Sequence, residues 1–367
     1  MGSSPMEPTE EQLFDAIVAL LPPLLSGLDV LAKARRHLHP PDLAELIESV
    51  APYRVPLAEQ IAPFVALRWP EHLRNFEASL KDAANNVLKG LGGFIDSAEH
   101  SNPVIAAYGA LRYQTRALEA LYPVTSMLLP VSRFFLDADH QDHDELLARL
   151  AAPREPGFDT GVLHAANGTT ERGGFSVYAP EYAEPSVPMP LIVAMHGGSG
   201  HGRGFLWTWL REARSSGAIL VSPTSVDRTW SLMGPDEDTP LLLRMLEFVS
   251  SRYTIDPDRR LLTGMSDGGT FSYVSGIQEN SPFTHLAPVS ASFHPMLLEM
   301  STAERLSGLP VFITHGALDW MFPVDMAAMA AQSFQAVGAK VRFEAVEDLS
   351  HTYPTEMNTT IMQWFLG

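Results

Sequence analysis

The chain of 367 residues contains no cysteine. Disulfide bonds, a thiolate nucleophile and cysteine-ligated zinc are therefore excluded. The glycine-rich segments also lack a Gly-Lys-Ser or Gly-Lys-Thr ending, which argues against a phosphate-binding P-loop. Any nucleophile in this protein must come from another residue type.

Positive charge is scarce in this sequence. Lysine and arginine together number 25 against 43 aspartates and glutamates, which gives a formal net charge of −18. A polyanion would be repelled by such a surface. We therefore expect no nucleic-acid partner.

Long apolar runs and targeting signals are also missing. No stretch of about 18 uninterrupted apolar residues is present, so we expect no membrane span. The opening "MGSSPMEPTEEQ" lacks the basic segment and following apolar segment of a secretory signal. With 46% hydrophobic and 19% charged residues, the composition is that of an ordinary globular protein. We expect a cytoplasmic protein.

The first part of the chain has helical periodicity interrupted by prolines. The segment "TEEQLFDAIVALL" has Thr9 as a candidate N-cap, acidic residues in the first turn, and apolar residues at three- and four-residue spacing. Similar patterns recur at 41–50, 57–67, 70–91, 103–121 and 142–150. The sequence predicts roughly six to eight helices and no strand up to residue 150.

The pattern changes after the Pro- and Gly-bearing stretch "AAPREPGFDTG", which predicts a domain boundary near residue 155. Residues 1–155 are thus expected to form an all-helical N-terminal domain and residues 156–367 a second domain. In the second domain, short β-rich runs such as "PLIVAMHGG", "GAILVSPT" and "LPVFITHG" alternate with helical segments. This alternation predicts an α/β fold with a mostly parallel sheet.

One strand-to-helix junction has an unusual concentration of small residues. In "RRLLTGMSDGGTFSY", Gly264, Ser266 and Gly268 form a G-x-S-x-G pattern between an apolar strand and a helix. Small residues also cluster in ordinary turns, but the place of this pattern between a strand and a helix favours a nucleophile elbow, which strains the serine backbone and leaves no room for a Cβ two positions before or after it. The junction predicts Ser266 as a nucleophile. It also predicts the Asp267 N–H, at the helix N-terminus, as an oxyanion donor.

A serine hydroxyl needs a base to remove its proton and a third group to orient that base. Asp319 follows the buried strand in "VFITHGALDWMFP", and His351 follows the last strand in "VEDLSHTYP". Both lie at the carboxyl ends of strands, the edge where open α/β sheets bind ligands. We predict Asp319 as the acid and His351 as the base. Rival acids are Asp325 as a helix-capping residue and Glu347 and Asp348 near His351; the rival histidines His285, His294 and His315 are interpreted as packing or loop-bracing residues.

The loop after an earlier strand offers a second oxyanion donor. In "PLIVAMHGGSGHGRGF", a buried strand runs into His196-Gly197-Gly198-Ser199-Gly200. Glycines allow a backbone N–H to approach a tetrahedral intermediate without a side chain in the way. We predict the Gly198 N–H as this donor and Gly197 as the residue that shapes the turn beside the substrate.

These segments resemble one family of enzymes. Through "MHGGSG", "YTIDPDRRLLTGMSDGG", "HGALDWMFP" and "SHTYP", residues 156–367 are similar to α/β-hydrolases of the polyhydroxyalkanoate depolymerase, feruloyl esterase and small carboxylesterase branch. The resemblance implies a serine carboxylic ester hydrolase with the triad Ser266, His351 and Asp319. It also implies that Trp230, in "DRTWSLMGPDEDT", is a wall of the acyl pocket, unless it is an ordinary core tryptophan.

The chain departs from the depolymerases of that branch. It lacks their disulfides and a recognisable polymer-binding module, so small to medium soluble esters are the expected substrates. A polyester depolymerase, a thioesterase, a serine peptidase and a catalytically idle interaction scaffold remain alternatives on the same residues. For the helical half, we expect a scaffold packed against the sheet that partly caps the site; a surface for homodimerisation and a docking module for another protein are the alternatives.

The acidic and histidine-rich segment "LDADHQDHDELL" at 136–147 invites a metal-binding interpretation. Acidic residues at a helix start are favoured by the helix dipole, which explains the segment without a metal. The serine mechanism needs no metal ion either. We therefore predict neither a metal nor a cofactor.

Overall fold

A computed structural model of the chain describes residues 8–152 and 159–367. Contacts within the chain divide it into two compact units, Met1–Phe135 and Leu136–Gly367. The boundary predicted near residue 155 lies in 153–158, outside the described residues, and stays a prediction.

The first unit confirms the expected all-helical region. Thr9 caps its first helix with a capping box: the Gln12 N–H donates to Thr9 Oγ1 at 3.2 Å, and the Thr9 N–H donates to Gln12 Oε1 at 2.9 Å. Between 8 and 135 the structure has helices and no strand. The helices are α1 Glu10–Arg36, α2 Leu43–Val50, α3 Arg54–Ala66, α4 Arg74–Ile95, α5 Pro103–Leu121 and α6 Leu129–Phe134.

Helix α1 bears on the expectation of no membrane span. It has 27 residues and a window of mean hydropathy 1.7, so it is long and apolar enough to cross a membrane. Its Leu20, Leu24, Leu28 and Leu31 are fully buried. Core helices of globular proteins pass the same test of length and composition, so this feature is weak evidence for a span.

The second unit is built on one eight-stranded sheet, in the order β1-β2-β4-β3-β5-β6-β7-β8. Strand β2 runs antiparallel to both neighbours, and the other pairs are parallel, so the expected mostly parallel sheet is confirmed. The strands are β1 Gly161–Ala165, β2 Phe175–Ala179, β3 Met189–Met195, β4 Ile219–Pro223, β5 Ile255–Met265, β6 His285–Val289, β7 Pro310–Gly316 and β8 Lys340–Val346.

Helices of the second unit lie before, between and after these strands. They are α7 Asp144–Ala151, α8 Gly202–Phe205, α9 Leu210–Ser216, α10 Asp238–Ser250, α11 Asp267–Gly276, α12 Met296–Glu299, α13 Ala303–Leu306, α14 Val324–Ala336 and α15 Met357–Leu366. Strand β3 and the second half of β5 are buried, because helices cover a parallel sheet on both faces. The carboxyl ends of β3, β5, β7 and β8 therefore meet at one edge of the sheet.

Strand β1 was not predicted from the sequence. Its segment Gly161–Ala165 is a half-exposed edge strand with a mixed burial pattern. Such a strand lacks the continuous apolar run of a central one. Its pairing with β2 is what makes it a strand.

Candidate active site

Ser266 lies at the corner between β5 and α11. Its backbone has φ 54° and ψ −120°, a conformation that L-residues rarely adopt. A Cβ on Gly264 would lie 2.6 Å from the carbonyl group of Gly268, and a Cβ on Gly268 would collide with the carbonyl oxygens of Met195 and His196. The predicted need for both glycines is confirmed, and the corner presents the Ser266 side chain at the edge of the sheet.

The three residues predicted as a triad form one hydrogen-bonded chain. His351 Nε2 lies 3.0 Å from Ser266 Oγ, and His351 Nδ1 lies 2.8 Å from Asp319 Oδ2. An ionised carboxylate only accepts hydrogen bonds, so the imidazole proton lies on Nδ1. The lone pair of Nε2 is then free to accept the proton of the Ser266 hydroxyl. Each of the three residues is 8% exposed.

The Asp319 carboxylate is held in its ionised form. Its Oδ1 accepts hydrogen bonds from the N–H groups of Met321 and Phe322, both at 2.9 Å. Burial raises the pKa of Asp319, but the hydrogen bonds from His351, Phe322 and Met321 outweigh burial and lower this pKa below its ordinary value. The carboxylate can therefore orient the imidazole and stabilise its protonated form.

The rival histidines make structural contacts. His315 Nε2 donates to the Phe322 carbonyl at 2.9 Å and lies 3.5 Å from Asp319 Oδ2, so it braces the loop that holds the acid. Burial lowers the pKa of His315 and favours its neutral form. His285 packs against the rings of Trp364 and Phe365 on α15. His294 Nδ1 accepts a hydrogen bond from the Met296 N–H at 3.3 Å.

Asp319, and none of the rival acids, is the partner of His351 Nδ1 in the hydrogen-bonded chain. Asp325 is in the first turn of α14, where the helix dipole favours a negative charge, although the N-cap itself is Pro323. Glu347 and Asp348 are exposed at the end of β8.

The loop after β3 passes directly beside the nucleophile. A Cβ on Gly197 would lie 3.4 Å from Ser266 Cβ, and a Cβ on Gly198 would lie 2.6 Å from Asp267 Oδ2. Asp267 is the first residue of α11, so its N–H has no acceptor within the helix. The two predicted donor residues, Gly198 and Asp267, are thus neighbours beside Ser266. Their oxyanion role stays a prediction.

Contacts that sequence reasoning missed hold this loop in place. The Ser199 N–H donates to the Arg228 carbonyl at 2.7 Å, and the Gly200 N–H donates to the Gly197 carbonyl at 2.9 Å. The Thr229 hydroxyl donates to Asp267 Oδ2 and so links the segment after β4 to the elbow. The Gly200 bond closes a local turn, whereas Arg228 and Thr229 are far in the chain from their partners, so no local pattern marks those two contacts.

His196 and Trp230 hold the start of this loop through hydrogen bonds. His196 Nδ1 donates to the Gly197 carbonyl at 2.7 Å, and His196 Nε2 accepts from the Ser225 N–H at 3.2 Å. Burial lowers the pKa of His196 to about 3, so this imidazole stays neutral. The Trp230 indole N–H donates to the His196 carbonyl at 2.7 Å, and the ring stacks on Phe271.

Trp230 is therefore a core residue by its observed contacts. It is 3% exposed and belongs to the main hydrophobic cluster of the second unit. The suggestion that it is a wall of the acyl pocket stays a prediction.

The segment 136–147 has the hydrogen bonds of a helix start. His143 Nδ1 accepts from the Leu146 N–H at 3.2 Å and caps α7, and His140 Nδ1 lies 2.7 Å from Asp137 Oδ1. Within 8–152 and 159–367, no three histidines or acids are grouped so that they could hold a metal ion.

Two sequence comparisons bear on this site. The model of the phospholipase/carboxylesterase family matches residues 245–366, a range that contains Ser266, Asp319 and His351. A bifunctional acetylxylan esterase/xylanase of Neocallimastix patriciarum is 30% identical over 147 residues, which are 39% of this chain and 21% of that protein. The chain thus spans about a fifth of the length of this curated relative.

Solved structures also resemble this chain. A thermostable esterase matches 56% of this chain and 62% of its own, with 18% identity and a TM-score of 0.45. The fluorophosphonate-binding serine hydrolase F of Staphylococcus aureus matches 57% of this chain and all of its own, with 15% identity and a TM-score of 0.47.

The sheet order, the single antiparallel strand β2 and the elbow after β5 are together those of the α/β-hydrolase fold. The family match falls on the same unit and contains the elbow. The second unit of this chain therefore has the α/β-hydrolase fold, and its residues 245–366 are similar to the phospholipase/carboxylesterase family.

Proposed function

We propose that the protein hydrolyses carboxylic esters through an acyl-enzyme formed on Ser266. The observation that carries this proposal is the hydrogen-bonded chain from Ser266 Oγ to His351 and Asp319. An esterase among the relatives in sequence supports oxygen esters as the substrate class. Small to medium soluble esters are the proposed substrates.

Acylation begins with the attack of Ser266 Oγ on the ester carbonyl carbon. His351 Nε2 takes the hydroxyl proton as the new C–O bond forms, and the carbonyl electron pair moves onto oxygen. The N–H groups of Gly198 and Asp267 would stabilise this oxyanion. The tetrahedral intermediate then collapses, the bond to the alcohol oxygen breaks, and His351 gives its proton to the departing alcohol.

Deacylation repeats these steps with water. His351 Nε2 removes a proton from water, the hydroxide attacks the acyl carbon, and Ser266 Oγ leaves with the proton from His351. One ester and one water become one acid and one alcohol. Throughout, Asp319 keeps the imidazole in the tautomer that accepts at Nε2 and stabilises its positive charge.

The test is turnover and labelling of the purified full chain. The wild type should hydrolyse p-nitrophenyl esters from acetate to octanoate and react covalently with a fluorophosphonate at Ser266. Ser266→Ala should lose labelling and lower kcat by about 10³-fold or more. Unlabelled, inactive wild-type protein would instead favour the idle-scaffold alternative.

A second serine provides the matched control. Ser251 is exposed at the end of α10, where its hydroxyl donates to the Phe248 carbonyl. Ser251→Ala should keep labelling and turnover. Parallel assays with thioester, amide and polyester substrates distinguish the thioesterase, peptidase and depolymerase alternatives, and faster turnover of any of these than of soluble oxygen esters would contradict the proposal.

A further inference from the structure

The loop between β7 and α14 displays large apolar side chains on both sides of Asp319. Leu318 is 44% exposed, Trp320 is 54% exposed and Met321 is 46% exposed, whereas Asp319 is 8% exposed. Large apolar groups grouped on a surface commonly mark a binding site. We call the exposed side chains of these three residues the acid-loop platform.

Hydrogen bonds fix the backbone of the acid-loop platform. The Ala317 N–H donates to the Val346 carbonyl, and the Leu318 N–H donates to the Leu349 carbonyl, both at 2.9 Å. Asp319 Oδ1 accepts from the two N–H groups that follow Trp320 in the chain. The same hydrogen bonds that position the acid therefore fix the backbone on both sides of Trp320.

The platform adjoins the base of the triad. The Trp320 ring centroid lies 6.4 Å from that of His351, in an edge-on arrangement. In the proposed mechanism His351 Nε2 protonates the leaving alcohol, so that alcohol departs beside the imidazole. We infer from this proximity that Trp320 contacts the alcohol moiety of the ester.

Resting on the proposed esterase function, we propose that Trp320 determines specificity for the alcohol moiety and favours one that carries a flat ring. An indole face binds flat apolar faces by stacking and by excluding water. An aryl ring and the C–H face of a sugar ring both have this shape. Ring-bearing alcohols should gain from the platform, and short alkyl alcohols should not.

The test compares esters that share an acetyl group and differ in the alcohol. Benzyl acetate and ethyl acetate form the first pair, and an acetylated methyl β-xylopyranoside is the sugar arm. Trp320→Ala should lower kcat/KM about five- to tenfold for the ring alcohol that the platform takes and less than twofold for ethyl acetate. Trp320→Phe should recover part of the loss. The ring ester that responds identifies an aryl or a sugar face.

Two controls separate this role from a general effect. Phe248, 42% exposed on α10, provides Phe248→Ala, which should not change the ratio of benzyl to ethyl acetate turnover. Ethyl acetate, butyrate and hexanoate should keep their relative rates in Trp320→Ala.

A loss of equal size for every alcohol, or one that follows acyl length, would overturn the alcohol-side assignment while leaving the esterase proposal intact. If the wild type hydrolyses none of these esters and does not react with a fluorophosphonate, the esterase proposal falls, and this one with it.

Discussion

Ser266 stores backbone strain, since a non-glycine residue with φ 54° costs on the order of 1–3 kcal/mol. Ser199 and Ser290, in the loops after β3 and β6, also have positive φ. Strained residues thus occur in the loops at the edge of the sheet where the candidate site lies. The surrounding packing must hold these conformations, and the glycines of the elbow are part of that packing.

Gly268→Ala tests this packing. The added Cβ would meet the carbonyl oxygens of Met195 and His196, which are backbone atoms that cannot rotate away. We expect the free energy of unfolding to fall by about 1–3 kcal/mol or more and fluorophosphonate labelling to slow at least tenfold. Denaturant unfolding and labelling kinetics measure the two effects.

Gly109→Ala is the control for this substitution. The nearest group to a Cβ there is the Arg112 side chain at 3.8 Å, an ordinary contact on α5. Alanine at this helical position should raise stability by up to about 1 kcal/mol. Equal stability and labelling in the two variants would refute the crowding at the elbow.

The residues of the hydrogen-bonded chain could be predicted from sequence because each follows a strand in a recognisable local pattern. Ser266 is marked by its glycines, and Asp319 and His351 follow buried or terminal strands. The bond from Thr229 to Asp267 could not be predicted, because it joins positions 38 residues apart and neither has a distinctive neighbourhood.

At the scale of elements, the segment that carries His351 is fixed to helices beside the sheet. Tyr353 Oη donates to Asn358 Oδ1 at 2.8 Å, and Asn358 Nδ2 donates to the Thr208 carbonyl at 2.8 Å. These bonds join the start of α15 to the turn before α9. They position the segment that brings the imidazole to Ser266.

Tyr353→Phe should loosen this attachment. It leaves the buried Asn358 Oδ1 without its donor, which costs about 1–3 kcal/mol of stability. We also expect labelling of Ser266 to slow several-fold, because the imidazole is less well held. Thermal unfolding and the labelling rate measure the two effects.

Tyr253→Phe removes the same hydroxyl from a tyrosine whose Oη donates to the Asp159 carbonyl. It should lower stability without slowing labelling. If Tyr353→Phe loses stability and labels at the wild-type rate, the attachment does not position His351.

Helix periodicity predicted most elements well, and α5 has the predicted bounds Pro103–Leu121. The edge strand β1 was missed because its pairing with β2, rather than its own composition, makes it a strand. The expectation of no membrane span needs the qualification given by α1, whose apolar residues include buried leucines of the helical unit. Periodicity in the sequence predicts where helices and strands lie. Strand pairing and side-chain burial depend on residues far apart in the chain, so local patterns do not predict them.

At the scale of the whole molecule, the buried carboxyl of Glu212 should make the free energy of unfolding depend on pH. Burial raises the pKa of Glu212, on α9, from its ordinary value of 4.5 to about 7. Between these values the folded protein binds more protons than the unfolded chain, so the free energy of unfolding falls as pH rises. The loss attributable to this group is on the order of 3 kcal/mol.

Glu212→Gln should remove this dependence, because an amide does not ionise. Relative to the wild type, the variant should gain stability from pH 5 to about pH 7, and the difference should level off above that pH. Urea unfolding at unit pH intervals measures the difference. Parallel curves for the two proteins would show that Glu212 does not titrate in this range.

The hydrogen bonds from Ala317 to Val346 and from Leu318 to Leu349 fasten the acid's loop to the segment that leads to the base. Because these bonds join the two segments, we expect them to move together. The distance between the Asp319 carboxylate and the His351 imidazole should then change little during such motions. Ser266 lies on a separate corner, so we expect the distance from its hydroxyl to the imidazole to vary more than the distance from the carboxylate to the imidazole. Heating short of unfolding should therefore erode proton transfer from the serine before it disturbs the pairing of the other two side chains.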